Sequence, residues 1–266
     1  MNRLLRGGRG GLVSLGFALG LPVVLVALWW IASANSVNYY WPPLKTILST
    51  FGNVWFSDRL SADVLPSVTR LLIGYAGAVV LGVAVGVALG SSRTLRRLTE
   101  PILEFFRAIP PPVLIPILFL FAGIGNTAKV VVIISGAVWP VLLNTVEGVR
   151  AVDEVLADTS RSYRITGVAR LRRLVLPAAS PQIVAGMRQA LSISIILMVI
   201  SEMFASSNGL GFAIVQFQRS FAIPEMWSGI LLLGVLGFVL SLLFGVFERR
   251  SLRWYHGLRA SQRGEK

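Results

Sequence analysis

The chain has 266 residues, 55% hydrophobic and 14% charged, where an average soluble domain is roughly 25% charged. Its net charge is +13, from 25 Lys and Arg against 12 Asp and Glu, with no cysteine and a single histidine, His256. This excludes a disulfide framework, a thiolate metal site and a cysteine nucleophile, leaves almost no room for a histidine-based centre, and, with apolar stretches near 20 residues recurring, places the chain in the polytopic membrane class.

A hydrocarbon core about 30 Å thick needs about 20 helical residues. Residues 12–31 are one uncharged run, longer than the apolar stretch of a cleavable leader, and are read as span one. Trp29, Trp30, Tyr39, Tyr40 and Trp41 then suit an interfacial aromatic belt. Pro42-Pro43 precedes residues 44–55, read as a short helix on the outer surface.

Span two is 71–89. Gly74, Ala78, Gly82, Gly86 and Gly90 recur every fourth residue on one of its faces. Small residues let helices approach closely in lipid, so this face is either an intramolecular packing surface or a dimer seam. Span three, 108–128 with entry residues from Pro101, holds Pro110, Pro111, Pro112 and Pro116. Proline inside a helix removes a hydrogen bond and crowds the preceding turn, and a broken helix survives in lipid where protein or a watery cavity satisfies the freed groups. Glu104, Arg107 and Pro111 are therefore candidates for a pathway wall, against the alternative of a kinked helix that touches no solute. A tight turn at 123–126 leads to span four, 130–146.

Span five, 183–204, is interrupted by Arg188 and ends near Glu202. Arg188 either snorkels to the surface or faces the path. Glu202 caps, pairs or lines an outer vestibule. Span six is 226–247. Arg3, Arg6 and Arg9 precede span one; Arg93, Arg96 and Arg97 follow span two; six arginines from Arg150 to Arg173 follow span four; Arg249, Arg250, Arg253, Arg259, Arg263 and Lys266 follow span six. The positive-inside rule puts these loops and both termini in the cytoplasm. The positive charge is thus a mark of topology, not of nucleic-acid binding.

The polar loop 158–177, DTSRSYRITGVARLRRLVLP, is read as two short helices, 158–164 and 168–176, bent at Gly167 and stopped by Pro177. It resembles the EAA loop of ABC importer permeases of the type I fold, whose pattern is E-A-A, three residues, Gly, nine residues, Ile-x-Leu-Pro. Leu176-Pro177 take the Leu-Pro positions, Leu174 the Ile, and Asp158, Thr159 and Ser160 the E-A-A. Arg164 stands where that family has glycine, which forbids an easy left-handed turn there and leaves the bend to Gly167. Residues 101–118, 176–191 and 201–214 are similar to the taurine, aliphatic sulfonate and nitrate branch of these permeases.

The resemblance implies an all-α integral membrane protein with six transmembrane helices and cytoplasmic termini, in the inner membrane of a bacterium. It divides the chain into an N-terminal span (1–34), an outer loop with a short helix (35–65), a five-helix permease core (66–250) containing the coupling loop 150–177, and a basic tail (251–266). It further implies a second permease copy, ABC ATPase subunits carrying ATP-Mg, a binding protein outside, and a small organic or inorganic anion as solute. No G-x-x-x-x-G-K-[ST] loop is present, so the chain holds no ATP site of that kind and no catalytic, cofactor or metal residue of its own is expected. The expected ATPase-docking residues are Asp158, Ser160, Arg161, Tyr163, Arg164, Ile165, Gly167, Arg170, Leu171, Arg173, Leu176 and Pro177. Tyr163, Ile165 and Leu171 would fill an apolar groove, and Arg161, Arg164 and Arg170 would pair with the ATPase. An ion-coupled secondary transporter is the alternative, although spans one, two, four and six carry no central ionisable residue.

Overall fold

The computed structural model describes residues 6–204, 206–255 and 257, with side chains from residue 20 onward. Arg3, His256, Arg259, Arg263 and Lys266, and the side chains of Arg6 and Arg9, lie outside the described residues. Among those described, four helices are long and apolar enough to cross a membrane: Leu60–Ser91, Asn126–Arg150, Gly167–Phe204 and Ile223–Ser251. A helix pair, Arg93–Ala108 and Pro111–Ala122, makes a fifth candidate, and the described part of the first helix, Gly20–Ser33, is apolar but shorter.

The elements run α1 (Arg6–Ser33), α2 (Leu44–Trp55), α3 (Leu65–Ser91), α4 (Arg93–Ala108), α5 (Ile115–Ala122), α6 (Asn126–Arg150), α7 (Glu154–Ser162), α8 (Gly167–Arg170), α9 (Leu176–Phe204), α10 (Leu210–Arg219) and α11 (Ile223–Ser251). The chain forms two compact units, one of residues up to Arg59 with Ile214–Leu232, the other of Leu60–Ala213 with the remainder from Leu233.

In the first unit α2 has the bounds expected from sequence. Pro43 sits just before it, where its fixed φ suits a helix start. Leu44 donates its backbone N–H to Ser33 Oγ at 3.0 Å. Trp55 is buried and donates Nε1–H to Ser228 Oγ at 2.9 Å. Trp29, Trp41 and Trp227 pack with ring centroids 5.6 to 6.1 Å apart, and Trp227 donates to the Tyr40 carbonyl at 3.1 Å. Two residues of the sequence-based belt, Trp29 and Trp41, thus form a tryptophan cluster completed from α11, while Trp30, Tyr39 and Tyr40 are exposed.

The second unit is built on α3, α6 and α9. The small-residue face of α3 lies on α6: a β-carbon added at Gly82 would stand 2.7 Å from Val141 Cβ, and one at Gly86 2.6 Å from Thr145 Cβ. That face is an intramolecular seam, which decides between the two readings left open. Above and below it Leu71, Val132, Ile133, Leu197 and Met198 pack with Ile115, and Val149, Val175, Ala179 and Ile183 form a separate cluster.

Proline shapes this unit in two ways. The expected third span is not one rod: Ile109 and Pro110 are extended, and the helices on either side meet at 85°. A residue before proline is pushed out of the α region, and the Pro110-Pro111-Pro112 run makes that unavoidable. Pro177, by contrast, does not stop the helix expected to end there. A π-helical turn, Leu171–Val175, precedes it, and the helix runs unbroken from Gly167 to Phe204. A second π turn, Leu60–Val64, stands in the same place before Pro66. The wider i→i+5 turn takes up the clash that a proline ring makes with the carbonyl four residues back.

Candidate functional site

The loop between α6 and α9 is a compact helical hairpin. Asp153 caps α7, its Oδ1 accepting the Leu156 N–H at 3.1 Å, as short acidic side chains do at helix starts. The helix therefore begins at Glu154, four residues before the position at which the sequence pattern starts. It ends in a tight cap. Ile165 N–H donates to the Ser160 carbonyl at 2.9 Å and Arg164 N–H to the Arg161 carbonyl at 2.9 Å. This is the six-to-one and five-to-two pairing that needs a left-handed residue one position past the helix. Arg164 is that residue, with φ +53°, and Gly167 follows at φ +56°. The expectation that arginine would keep position 164 out of the left-handed region is corrected. The cap bonds outweigh a strain of about 1–2 kcal/mol, and both residues bend the chain.

Ser160 closes the hairpin from inside, being buried and donating Oγ–H to the Ile165 carbonyl at 3.0 Å. Leu171 and Leu176 are also turned inward, packed on the Val149–Val175–Ala179–Ile183 cluster. Leu171 is half-buried against this cluster. Ile165 is half-buried, whereas Tyr163 is 76% exposed. Val155, Leu156 and Val168 are exposed beside it in the hairpin. At 100° per residue, Val155, Leu156 and Tyr163 share one side of α7, while Glu154, Asp158 and Arg161 share another. Asp158 and Arg161 pair at 3.1 Å. Arg164, Arg173 and Pro177 are exposed, and Arg170 is half-buried. The sequence reading missed Val155 and Leu156, since its register began at Asp158, with the Asp153 cap as the signal available; it also passed over Val168, which opens its second helix.

The charged residues proposed for a solute path are each held by a partner. Glu104 and Arg107 pair with one another at 2.6 Å on the surface of α4. Arg188 pairs with Glu248 of α11 and lies 5.8 Å from the Phe244 ring centre. Glu202 is 1% exposed and meets Arg70 at 2.6 Å. Ser67 donates to the same carboxylate at 2.8 Å, and Gly211 N–H at 3.1 Å. Arg70 also donates to Asn126 Oδ1 at 2.8 Å and to Asn208 Oδ1. Of the three roles open to Glu202, the structure displays two: it pairs with Arg70 and caps α10 by accepting the Gly211 N–H. Arg70, one residue before the expected span two, escaped the sequence reading although its charge is opposite to that of Glu202. Pro111 opens a 3₁₀ turn beside Gly136 of α6, where an added β-carbon would stand 2.9 Å from the proline ring.

A different set of polar groups is neutral and makes no ion pair. Gln182, Gln189 and Ser192 are exposed along one face of α9. Asn144 of α6 donates to the Pro140 carbonyl at 2.8 Å and reaches Gln189 Oε1 at 3.5 Å. Polar side chains within a span face a bundle interior or water rather than lipid, so this neutral stripe marks a wet face of the second unit.

Residues 78–253 match the family described as binding-protein-dependent transport system inner membrane component. The chain is 29% identical to the taurine transport system permease protein TauC of Escherichia coli (strain K12), over 90% of this chain and 89% of that one. It is 30% identical to the putative aliphatic sulfonates transport permease protein SsuC of the same organism, over 89% of this chain and 92% of that one. Its fold is similar to a chain of the MetNI methionine ABC transporter solved in inward facing conformations, with a TM-score of 0.61 and 23% identity over 71% of this chain and 94% of that chain.

Proposed function

The chain belongs to the family of binding-protein-dependent transport system inner membrane components, and from that premise we propose that it forms the membrane path of an ATP-driven importer for a small sulfonate-like anion. Two copies pair across the path. A binding protein delivers the solute from outside, ATPase subunits bearing ATP-Mg dock inside, and both termini and the α7–α8 hairpin lie on the cytoplasmic side of the inner membrane.

The observation that carries this reading is the hairpin. It presents exposed Val155, Leu156 and Tyr163 on α7 and its cap, with Arg164 after them and Val168 on α8, and α8 continues without a break into α9. An apolar face of this kind on a helix suits a groove on a soluble partner. Because α8, the π turn and α9 are one continuous helix, a push on the hairpin acts on the whole span, as rigid-body alternating access requires. The stripe of Asn144, Gln182, Gln189 and Ser192 supplies amide N–H and hydroxyl donors with no full charge. Donors of this kind hold an oxyanion without trapping it.

The test is the double variant Leu156→Glu with Tyr163→Glu, co-expressed with the ATPase and the binding protein. Loss of ATPase co-purification and of solute-stimulated ATP hydrolysis is expected. Unchanged assembly and coupling reject the reading.

A further inference from the structure

A groove of about 1010 Å³ runs between the ends of α3, α4 and α6 on one side and the hairpin on the other. Arg93, Arg96, Arg97, Arg150, Arg161 and Arg170 line it, with Glu154 and Asp158 as its acids. Arg150 is paired with Glu147 at 2.7 Å and Arg161 with Asp158 at 3.1 Å. Arg93, Arg96, Arg97 and Arg170 make no ion pair among the described residues. The Arg170 Nε–H is buried and has no hydrogen-bond partner among them. Buried polar groups are nearly always bonded, so this one points to an acceptor from another molecule.

We propose that this groove binds the phosphate headgroup of an anionic phospholipid, resting on the reading above that this end of the bundle faces the inner leaflet. Several unpaired guanidinium groups around one recess match phosphate oxygens, and basic pockets between spans on the cytoplasmic side suit such headgroups. At 100° per residue, Leu98 and Ile102, 69% and 55% exposed, lie on the side of α4 opposite Arg93, Arg96 and Arg97. The helix thus has one apolar and one basic face, as helices at a lipid–water boundary do. An acidic soluble protein would satisfy the arginines and leave these side chains in water. A bilayer covers both: acyl chains meet the apolar face, and this holds the arginines of the other face at the depth of the headgroups. The docking face of α7 remains clear, since Glu154, Asp158 and Arg161 line the groove from another side of that helix. A bound lipid then ties the hairpin to α4, the helix before the proline break, and regulates how far the hairpin moves.

The purified permease, with its ATPase where bound, is titrated in detergent with phosphatidylglycerol, phosphatidylcholine and inorganic phosphate, read by native mass spectrometry. Phosphatidylglycerol is expected to be retained over phosphatidylcholine. Each arginine contributes about fivefold in affinity, so Arg93→Gln, Arg96→Gln and Arg97→Gln together lower it about a hundredfold. The same three positions as lysine stay within about fivefold of wild type, which shows that the site survives substitution. Arg249→Gln, Arg250→Gln and Arg253→Gln, removing equal charge off the groove, leave the affinity unchanged. Equal losses in the two glutamine variants would reduce the effect to surface charge and overturn the proposal. So would displacement of the lipid by an equal concentration of inorganic phosphate, or loss of the ATPase from the Arg93–Arg96–Arg97 variant alone. A wild-type chain that holds no ATPase defeats the functional reading, while the lipid titration still decides this one.

Discussion

The Arg70–Glu202 pair joins α3 to the end of α9, and its side chains are 4% and 0% exposed. Replacing Glu202 by alanine leaves the Arg70 charge buried without its carboxylate, bonded to neutral Asn126 and Asn208 and near the buried cation Lys129. Removing one partner of a buried pair costs about 3–5 kcal/mol. Arg70→Met alone leaves the carboxylate with Ser67 and the Gly211 N–H, and the same range applies. The double variant Arg70→Met with Glu202→Leu removes both charges of the pair and leaves Lys129 and Asp63 as the other buried charges among the described residues. What remains is the cost of polar groups that lose a partner, about 1–3 kcal/mol. The two single losses together are therefore expected to exceed the double loss by at least about 3 kcal/mol. Unfolding of the purified variants in detergent micelles measures the cycle. Additivity within about 0.5 kcal/mol would refute the claim that the two groups satisfy each other.

Other expectations follow from single contacts. Arg164→Gly relieves the left-handed strain and gives back part of the gain as unfolded-chain entropy, a net stabilisation of about 1 kcal/mol; hydrogen exchange at the Ile165 amide slows about fivefold, and Gly167→Ala acts in the opposite direction. Gly86→Ala drives a β-carbon to 2.6 Å from Thr145 Cβ and 2.8 Å from the Leu142 carbonyl, costing about 1–3 kcal/mol in thermal unfolding. Gly234→Ala, with nothing within 4 Å, stabilises α11 by up to about 1 kcal/mol. Gln189→Leu removes one donor from the wet face and lowers solute uptake about tenfold, with ATPase assembly intact in a pull-down.

Much of the fold is legible in residue order, because hydrophobic length and proline placement are local. Pro42-Pro43 fixes the start of α2, and the four-residue spacing from Gly74 to Gly90 marks the face that meets α6. What is not legible depends on partners distant in sequence. Glu202 is ambiguous until Arg70, 132 residues away, is seen beside it. Arg188 reads either as a snorkelling or as a path residue, and its partner Glu248, 60 residues away, is invisible in sequence. The polar stripe of Gln182, Gln189 and Ser192 shows only when burial separates one face of α9 from the others. Local rules also misled. Pro177 ends a helix in isolation, but a π turn before it accommodates the ring. Arg164 disfavours a positive φ, but the two cap bonds at Ser160 and Arg161 hold it there. In the hairpin, side chains assigned to a partner by sequence pattern divide into an inward set, Ser160, Leu171 and Leu176, and an outward set led by Tyr163.

The chain contains no cysteine, so a single Tyr163→Cys substitution gives an unambiguous reporter on the hairpin. In membrane vesicles holding the whole importer, the new thiol is expected to cross-link to the ATPase and to react with a membrane-impermeant reagent only when the cytoplasmic side is outward. Labelling of intact cells from outside, or active ATP-driven uptake with no cross-link to the ATPase at this position, would contradict the account.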